Sequence, residues 1–228
     1  MMKKLALAIL IALGANGAQA AVELKLGHFA SDTHPCGIAA KDFKANVEKR
    51  TNGEVKIALY GNNVLGSPPE VLEQVLLGAV HMSLSGQDQL AKHLPFYDVI
   101  STPFAFKDYA TADKIIDGDF KAWAAPELLK KNLVHLSDWE WGFRQLTNSK
   151  KPILTPADMK GMKIRTPPAF AYQAFVEAAG GNAQTIAFAE LVMAMKQGVV
   201  DGQENPVGTI YDLKIYETQK YMSILNYT

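Results

Sequence analysis

The chain has 228 residues, enough for one large domain or two small ones at the usual ~100–200 residues per domain. Lys plus Arg equals Asp plus Glu at 23 each, so no global field steers it toward nucleic acid or an anionic membrane, and charge recognition has to be local. Cys36, the only cysteine, excludes an internal disulfide framework. Met1-Met2-Lys3-Lys4 is a positive start, and Leu5 to Leu13 is an apolar run well short of the about 20 residues a membrane span needs. Ala18-Gln19-Ala20 then places small residues where a signal peptidase reads. Residues 1–20 therefore read as a signal peptide, and the mature chain begins at Ala21.

Strand and helix signals alternate from there. Glu23 to Phe29 and Glu54 to Tyr60 alternate in polarity, the second placing Val55, Ile57 and Leu59 on one face. Between them Ile38 to Arg50 reads as a helix with Ile38, Ala39, Phe43 and Val47 on one stripe. Ser67-Pro68-Pro69-Glu70 is a capping box with proline at the first helical position, opening a helix that Gly78 closes. Thr155-Pro156-Ala157-Asp158 repeats the device in short form. Met162 to Arg165 reads as a strand, and Pro168 to Ala179 as an amphipathic helix stopped by Gly180-Gly181. The pattern is α/β, with crossover helices between mostly parallel strands.

An internal echo organises these elements. Glu70 to Gly78 recurs as Glu190 to Gly198: an acidic residue opens an apolar helix and glycine stops it eight positions later. A Val-containing strand follows in each, then a polar turn, Ser85-Gly86-Gln87-Asp88 in one and Gly202-Gln203-Glu204-Asn205 in the other. Helix–Gly–strand is common in any α/β protein, but the equal spacing favours two lobes of similar design. Ligand sites favour the cleft between such lobes, at the carboxyl ends of strands.

Catalytic motifs are scarce. Gly-x-Ser-x-Gly, His-Glu-x-x-His, the phosphate-loop lysine motif and Gly-x-Gly-x-x-Gly are all missing. His28, Asp32 and His34 lack the helical i, i+4 spacing of a metal pair, so no metal and no cofactor are expected. Cys36 near His34 resembles a nucleophile pair, but a small apolar cysteine at a helix start accounts for it. What remains looks like recognition. Arg144 sits just before the strand-like run Leu146 to Ser149, and Arg165 ends its strand before Thr166-Pro167-Pro168. An arginine there can offer its planar fork to a carboxylate, or form an interlobe ion pair; position alone leaves both open. Phe188 is either core or site, and Asn205 before Pro206 either a turn residue or a ligand contact.

Asp201-Gly202-Gln203-Glu204-Asn205-Pro206, with Ala157-Asp158-Met159-Lys160-Gly161-Met162-Lys163-Ile164-Arg165, resembles the DctP-type solute-binding proteins of tripartite ATP-independent periplasmic (TRAP) transporters. The likeness also takes in Val64-Leu65-Gly66, Phe188-Ala189-Glu190 and the Glu217-to-Tyr221 region, nearly the whole mature chain. It implies a two-lobed periplasmic binding protein of type II-like α/β fold with a ligand cleft between the lobes. On that basis lobe I covers 21–138, lobe II 139–212, and 213–228 returns toward lobe I. The resemblance implies a monomer that catalyses nothing, captures a small organic acid in the periplasm and delivers it to the TRAP permease membrane subunits.

Residue by residue, the resemblance makes Arg165 the carboxylate-binding arginine, Arg144 a second, supporting one, Asn205 an amide on the same ligand, and Phe188 the aromatic cover. First-lobe contacts vary across the family, and the loop with His34 and the turn with Gln87 supply the candidates here. Trp139 and Trp141 flank the site in sequence and either shape the pocket toward a bulkier or aromatic acid or pack in the core. Two departures stand out: Gly86 replaces an acidic residue found in some acid-sugar binders, which argues against assuming their substrate, and the chain stops at Thr228 where the family continues through a long helix, so a fragment is expected. The competing expectations are a secreted enzyme using Glu70, Glu190 or His34 as acid–base group, and a periplasmic sensor module presenting bound acid to a receptor. Arg165→Lys is expected to cost affinity and, in an open cleft, little stability.

Overall fold

The structure is a computed structural model that describes residues 20–228; the predicted signal peptide lies outside the described residues except for Ala20. Strand β1 (Val22–Gly27) leads through α1 (Pro35–Arg50) to β2 (Val55–Tyr60), and then through α2 (Pro68–Leu76) to β3 (Met82–Ser83). These three strands form one parallel sheet in the order β2-β1-β3. Ile57 and Leu26 are buried against Ala40 of α1, as the alternation of β2 predicts. Ile38 does not belong to the buried stripe of α1 and is 51% exposed. Cys36 and Ala40 are buried and Phe43 and Val47 half-buried instead, a spacing that keeps one helix face on the sheet.

The capping box at Ser67 forms as read: Glu70 Oε2 accepts from the Ser67 N–H at 2.7 Å and from its hydroxyl at 2.8 Å. These two donors hold the Glu70 carboxyl below its ordinary range. After the short helix α3 (Gln87–Ala91), residues Pro95–Ser101 form a 3-10 turn, and α4 (Tyr109–Ile115) and α5 (Lys121–Leu129) follow. Leu72, Leu94, Tyr97, Ala124 and Leu128 make the core of this helical layer. No helix among the described residues is long and apolar enough to cross a membrane.

The second sheet takes β4 (Arg144–Asn148), β5 (Lys163–Thr166), β6 (Asn182–Thr185), β7 (Gly202–Pro206) and β8 (Tyr221–Ser223) in the order β6-β5-β7-β4-β8. Helices α6 (Phe170–Ala178), α7 (Leu191–Lys196) and α8 (Val207–Asp212) connect its strands. Arg144 is the first residue of β4 rather than a residue preceding it, and α6 begins two positions later than the proline signal suggested. β5 is parallel to both β6 and β7, while β4 runs antiparallel to β7 and β8. The architecture is the α/β two-lobed binding-protein fold. Residues 213–228 add β8 to the edge of the second sheet, after which the Tyr227 carbonyl accepts from the Phe104 N–H.

The echo is visible in both halves: Gly78 at φ +75° and Gly198 at φ +69° end α2 and α7 in the left-handed conformation that favours glycine. It is imperfect, because the second copy opens as a 3-10 turn over Phe188–Glu190 before α7. Gly202 to Asn205 is not a turn at all. It is β7, buried throughout, and its polar side chains pair with β4 and with one another.

Candidate functional site

The sheet topology gathers the arginines at one edge. Parallel strands β5 and β7 bring their carboxyl ends there, carrying Arg165 and Asn205. Antiparallel β4 brings its amino end to the same edge, with Arg144 opposite Pro206. Arg165 pairs in register with Gln203, which places it on the same face of the sheet as Asn205.

Arg144 is held by Glu204 through Nε–Oε2 and by Nη2–Oε1 at 2.9 Å, with the Glu204 carbonyl accepting from Nη2 at 2.8 Å. Asn205 Oδ1 accepts from the same Nη2 at 3.3 Å. The guanidinium lies 4.7 Å from the Tyr172 ring centre and 5.8 Å from that of Trp141, and the Tyr227 hydroxyl donates to Glu204. Burial by itself would lower the Arg144 pKa, but the charge and hydrogen bonds of Glu204 outweigh it and push it well up. The Arg144 charge is spent inside the protein.

Arg165 differs. It is 1% exposed, and its one side-chain hydrogen bond among the described residues runs from Nε to the Ile186 carbonyl at 2.8 Å. Both Nη groups keep their donors. Burial lowers its pKa to about 10; Glu204 opposes the shift and the like charge of Arg144 adds to it. The guanidinium stays charged at neutral pH, with Asp88 as well as Glu204 favouring the charged form.

A cavity of about 450 Å³ opens beside this edge, lined by Gln87, Asp88, Trp141, Arg144 and Tyr172 among others. Trp139 also lines it while packing on Phe43 with ring centres 6.1 Å apart. Arg165, Asn205, Phe188 and His34 do not line it; the first two are 1% exposed. Phe188 instead joins an aromatic cluster with Phe29 and Trp141, at 5.6 and 6.2 Å between ring centres. His34 meets the same cluster, 5.6 Å from Phe29.

His34 has a second task. Its Nδ1 accepts from the Cys36 N–H at 3.1 Å and caps α1, which leaves the proton on Nε2, 3.3 Å from Thr209 Oγ1. Trp141 Nε1 donates to the same oxygen at 2.7 Å. Asp212, one turn along α8 from Thr209, accepts from Ser31 Oγ at 2.6 Å and Thr33 Oγ1 at 2.9 Å. The loop after β1 is thus fastened to the helix after β7. Burial lowers the His34 pKa, with Asp212 opposing.

His28, Asp32 and His34 do not converge, and no group of His, Cys, Asp and Glu among the described residues could hold a metal ion. Burial pushes the Cys36 thiol up to about 11, which leaves almost no thiolate at neutral pH. Glu70 is spent in its capping box, and Glu190 is exposed away from the cavity.

Sequence reasoning missed Glu204, Asp88, Tyr172, Tyr227, Thr209 and Asp212. Glu204 had a signal, an acid between two amides in the motif that also carries Asn205. The aromatic partners had none, because only the packing of α6 and the chain after β8 brings them to the arginine.

A family model for the bacterial extracellular solute-binding proteins, family 7 (DctP), matches residues 26–227. The chain is 35% identical over 208 residues to the 2,3-diketo-L-gulonate-binding periplasmic protein YiaO of Escherichia coli, an overlap of 91% of this chain and 63% of that protein. Among solved structures it is similar to the sugar acid binding protein DctPAm of Advenella mimigardefordensis in complex with galactonate, with a TM-score of 0.88 and 31% identity. That match covers 91% of this chain and 67% of the other. A TRAP periplasmic solute binding protein from Sulfurospirillum deleyianum with bound succinate gives a TM-score of 0.87 and 32% identity, over 91% of this chain and 67% of that one. The chain belongs to the DctP family of TRAP-transporter solute-binding proteins.

Proposed function

We propose that the protein captures a small organic acid in the cleft between its lobes and delivers it, as a monomer in the periplasm, to the membrane subunits of a TRAP permease. The carrying observation is Arg165: a buried guanidinium with both Nη groups unspent, beside an Arg144 already neutralised by Glu204. A carboxylate is the anion whose planar geometry matches that fork. Relatives with bound galactonate and succinate support the ligand class. In this reading Arg144 and Asn205 brace the arginine edge, Phe188 and Trp141 cover the acid, and Gln87 and the His34 loop contribute from lobe I. The lobes divide near residue 138, and the signal peptide leaves after Ala20.

Closure follows from the same arrangement. A ligand touched by both lobes favours the closed form only through contacts that the open form lacks. The test is mass spectrometry of small molecules co-purifying with the protein, followed by a thermal-shift screen of acids, neutral sugars and amines. Ligand at about 100 times its dissociation constant should add about 2.7 kcal/mol of stability. A screen in which only uncharged compounds raise the melting temperature sinks the reading, and turnover of a bound acid would point to an enzyme.

A further inference from the structure

Tyr97 is a buried cavity residue with an unspent hydroxyl. It is 4% exposed, and its ring packs against Phe96 and Phe120 with ring centres 5.0 and 5.2 Å away, which fixes where the hydroxyl points. The residue lines the cavity, and its hydroxyl makes no hydrogen bond among the described residues. Burial, and after it the charge of Asp138, pushes its pKa up to about 12, so the hydroxyl keeps its proton at neutral pH. It faces the cavity with one donor and two acceptor lone pairs.

The wall that Tyr97 shares is acidic. Asp113 and Asp117, from α4 and the turn that follows it, line the cavity together with Asp138 from the segment before β4. No lysine or arginine among the described residues pairs with any of the three. Asp138 has only His135, whose Nε2 lies 3.1 Å from its Oδ1. The Asp117 and Asp138 carboxyls are also hydrogen-bonded to each other, and that bond, ahead of burial and the Asp138 charge, raises the Asp117 pKa. Burial works against ionisation of Asp138, but the bond and charge of His135 and the bond of Asp117 outweigh it and hold its pKa low. Asp117 therefore donates, and Asp138 keeps a negative charge beside the Tyr97 hydroxyl.

That charge limits what can sit here. Arg144 is the one lysine or arginine lining the cavity among the described residues, and Glu204 already matches it. An anion beside Tyr97 would meet Asp138 with no free cation to offset the repulsion, and a neutral group would leave the charge unbalanced. The side chains cannot assemble a metal site. An ammonium group fits: its N–H donors reach both Asp138 and the Tyr97 oxygen, and its charge balances the carboxylate. The rings of Tyr97 and Trp139 line the same cavity, and aromatic faces attract a cation.

We propose that this stretch of the cavity is a binding site for an organic ammonium group. The inference rests on the reading of the protein as a small-molecule capture protein but not on Arg165, which lies outside the cavity lining. Calorimetric titration of the full chain would use butylammonium, 4-aminobutyrate, butyrate and butanol as probes. Butylammonium should bind at least about tenfold more tightly than butanol, and 4-aminobutyrate at least as tightly as butylammonium. Tyr97→Phe keeps the ring and removes the acceptor, and Asp138→Asn removes the charge; each should weaken butylammonium by about 10- to 100-fold and leave butyrate unchanged. Asp117→Asn, at an exposed position, stands in for Asp138→Asn should that variant fail to fold. The site is overturned if butylammonium binds no better than butanol, or if the variants melt normally and bind it as the parent does. Weakening of all four probes alike also overturns it, since the variants would then have disturbed the cavity rather than a cation contact. Butyrate binding without any preference for ammonium keeps the carboxylate reading and removes this one; the reverse pattern keeps the ammonium site and removes the carboxylate.

Discussion

Glu204 grips Arg144 from the neighbouring antiparallel strand with both carboxylate oxygens, and both side chains are almost completely buried. The pair is surrounded by Tyr172, Tyr227 and Asn205, so its lone pairs and protons are met on several sides. Such a pair adds little over a well-packed apolar one, but breaking it strands a charge.

Glu204→Ala should therefore lower the unfolding free energy by about 3–5 kcal/mol, with the Arg144 charge left uncompensated. Replacing both partners, Glu204→Leu with Arg144→Met, should recover a large part of that loss. Urea denaturation of the three proteins checks it; equal loss in the single and double variants would mean that the pair holds no buried charge in balance.

Arg165→Lys tests geometry at constant charge. Lysine loses the paired Nη donors, and affinity for a carboxylate should fall by a factor of about 10 to 100. Full burial corrects the expectation of an unaffected fold: the Nε bond to Ile186 is lost as well, at about 1 kcal/mol of stability. Calorimetry and a denaturation curve on the same samples separate the two effects, and unchanged affinity would take Arg165 out of the site.

His28 and His34 are both held below their ordinary 6.5 by burial, so the folded state prefers them neutral. The unfolded chain takes up protons first as pH falls. The stability they contribute is present above pH 6.5 and lost as pH drops through the folded values. His34→Asn keeps a capping acceptor for the Cys36 N–H without the titration. Its melting temperature should fall less steeply between neutral and acid pH than that of the parent, with His28 accounting for the slope that remains. An unchanged slope would show that His34 does not titrate with unfolding.

Asp212 ties the loop after β1 to α8 through Ser31 and Thr33. The Ser31 contact is partly buried and the Thr33 contact exposed, so Asp212→Ala should cost about 1 kcal/mol of closed-state stability, roughly fivefold in ligand affinity. Small-angle scattering should find the ligand-free variant more open and the saturated variant as compact as the parent. Identical scattering and affinity in both proteins would mean that these bonds form without bearing on closure.

The sequence alone determined the α/β alternation, the capping box at Ser67, the glycine stops at 78 and 198 and the family, because each depends on local chemistry or on a run of neighbouring residues. It also named the two arginines, since an arginine at a strand end is visible without coordinates. The resemblance singled out Arg165 as the carboxylate binder, but strand position alone did not say which arginine is spent and which is free. That was decided by two pairings: β4 antiparallel to β7 delivers Glu204 to Arg144, while β5 beside β6 offers Arg165 only the backbone carbonyl of Ile186. The first of these pairings also turned Gly202 to Asn205 from an apparent polar turn into a buried strand. Polar residues look like surface until their partners are known, and those partners are about 60 residues away in the chain, where only tertiary pairing can bring them together.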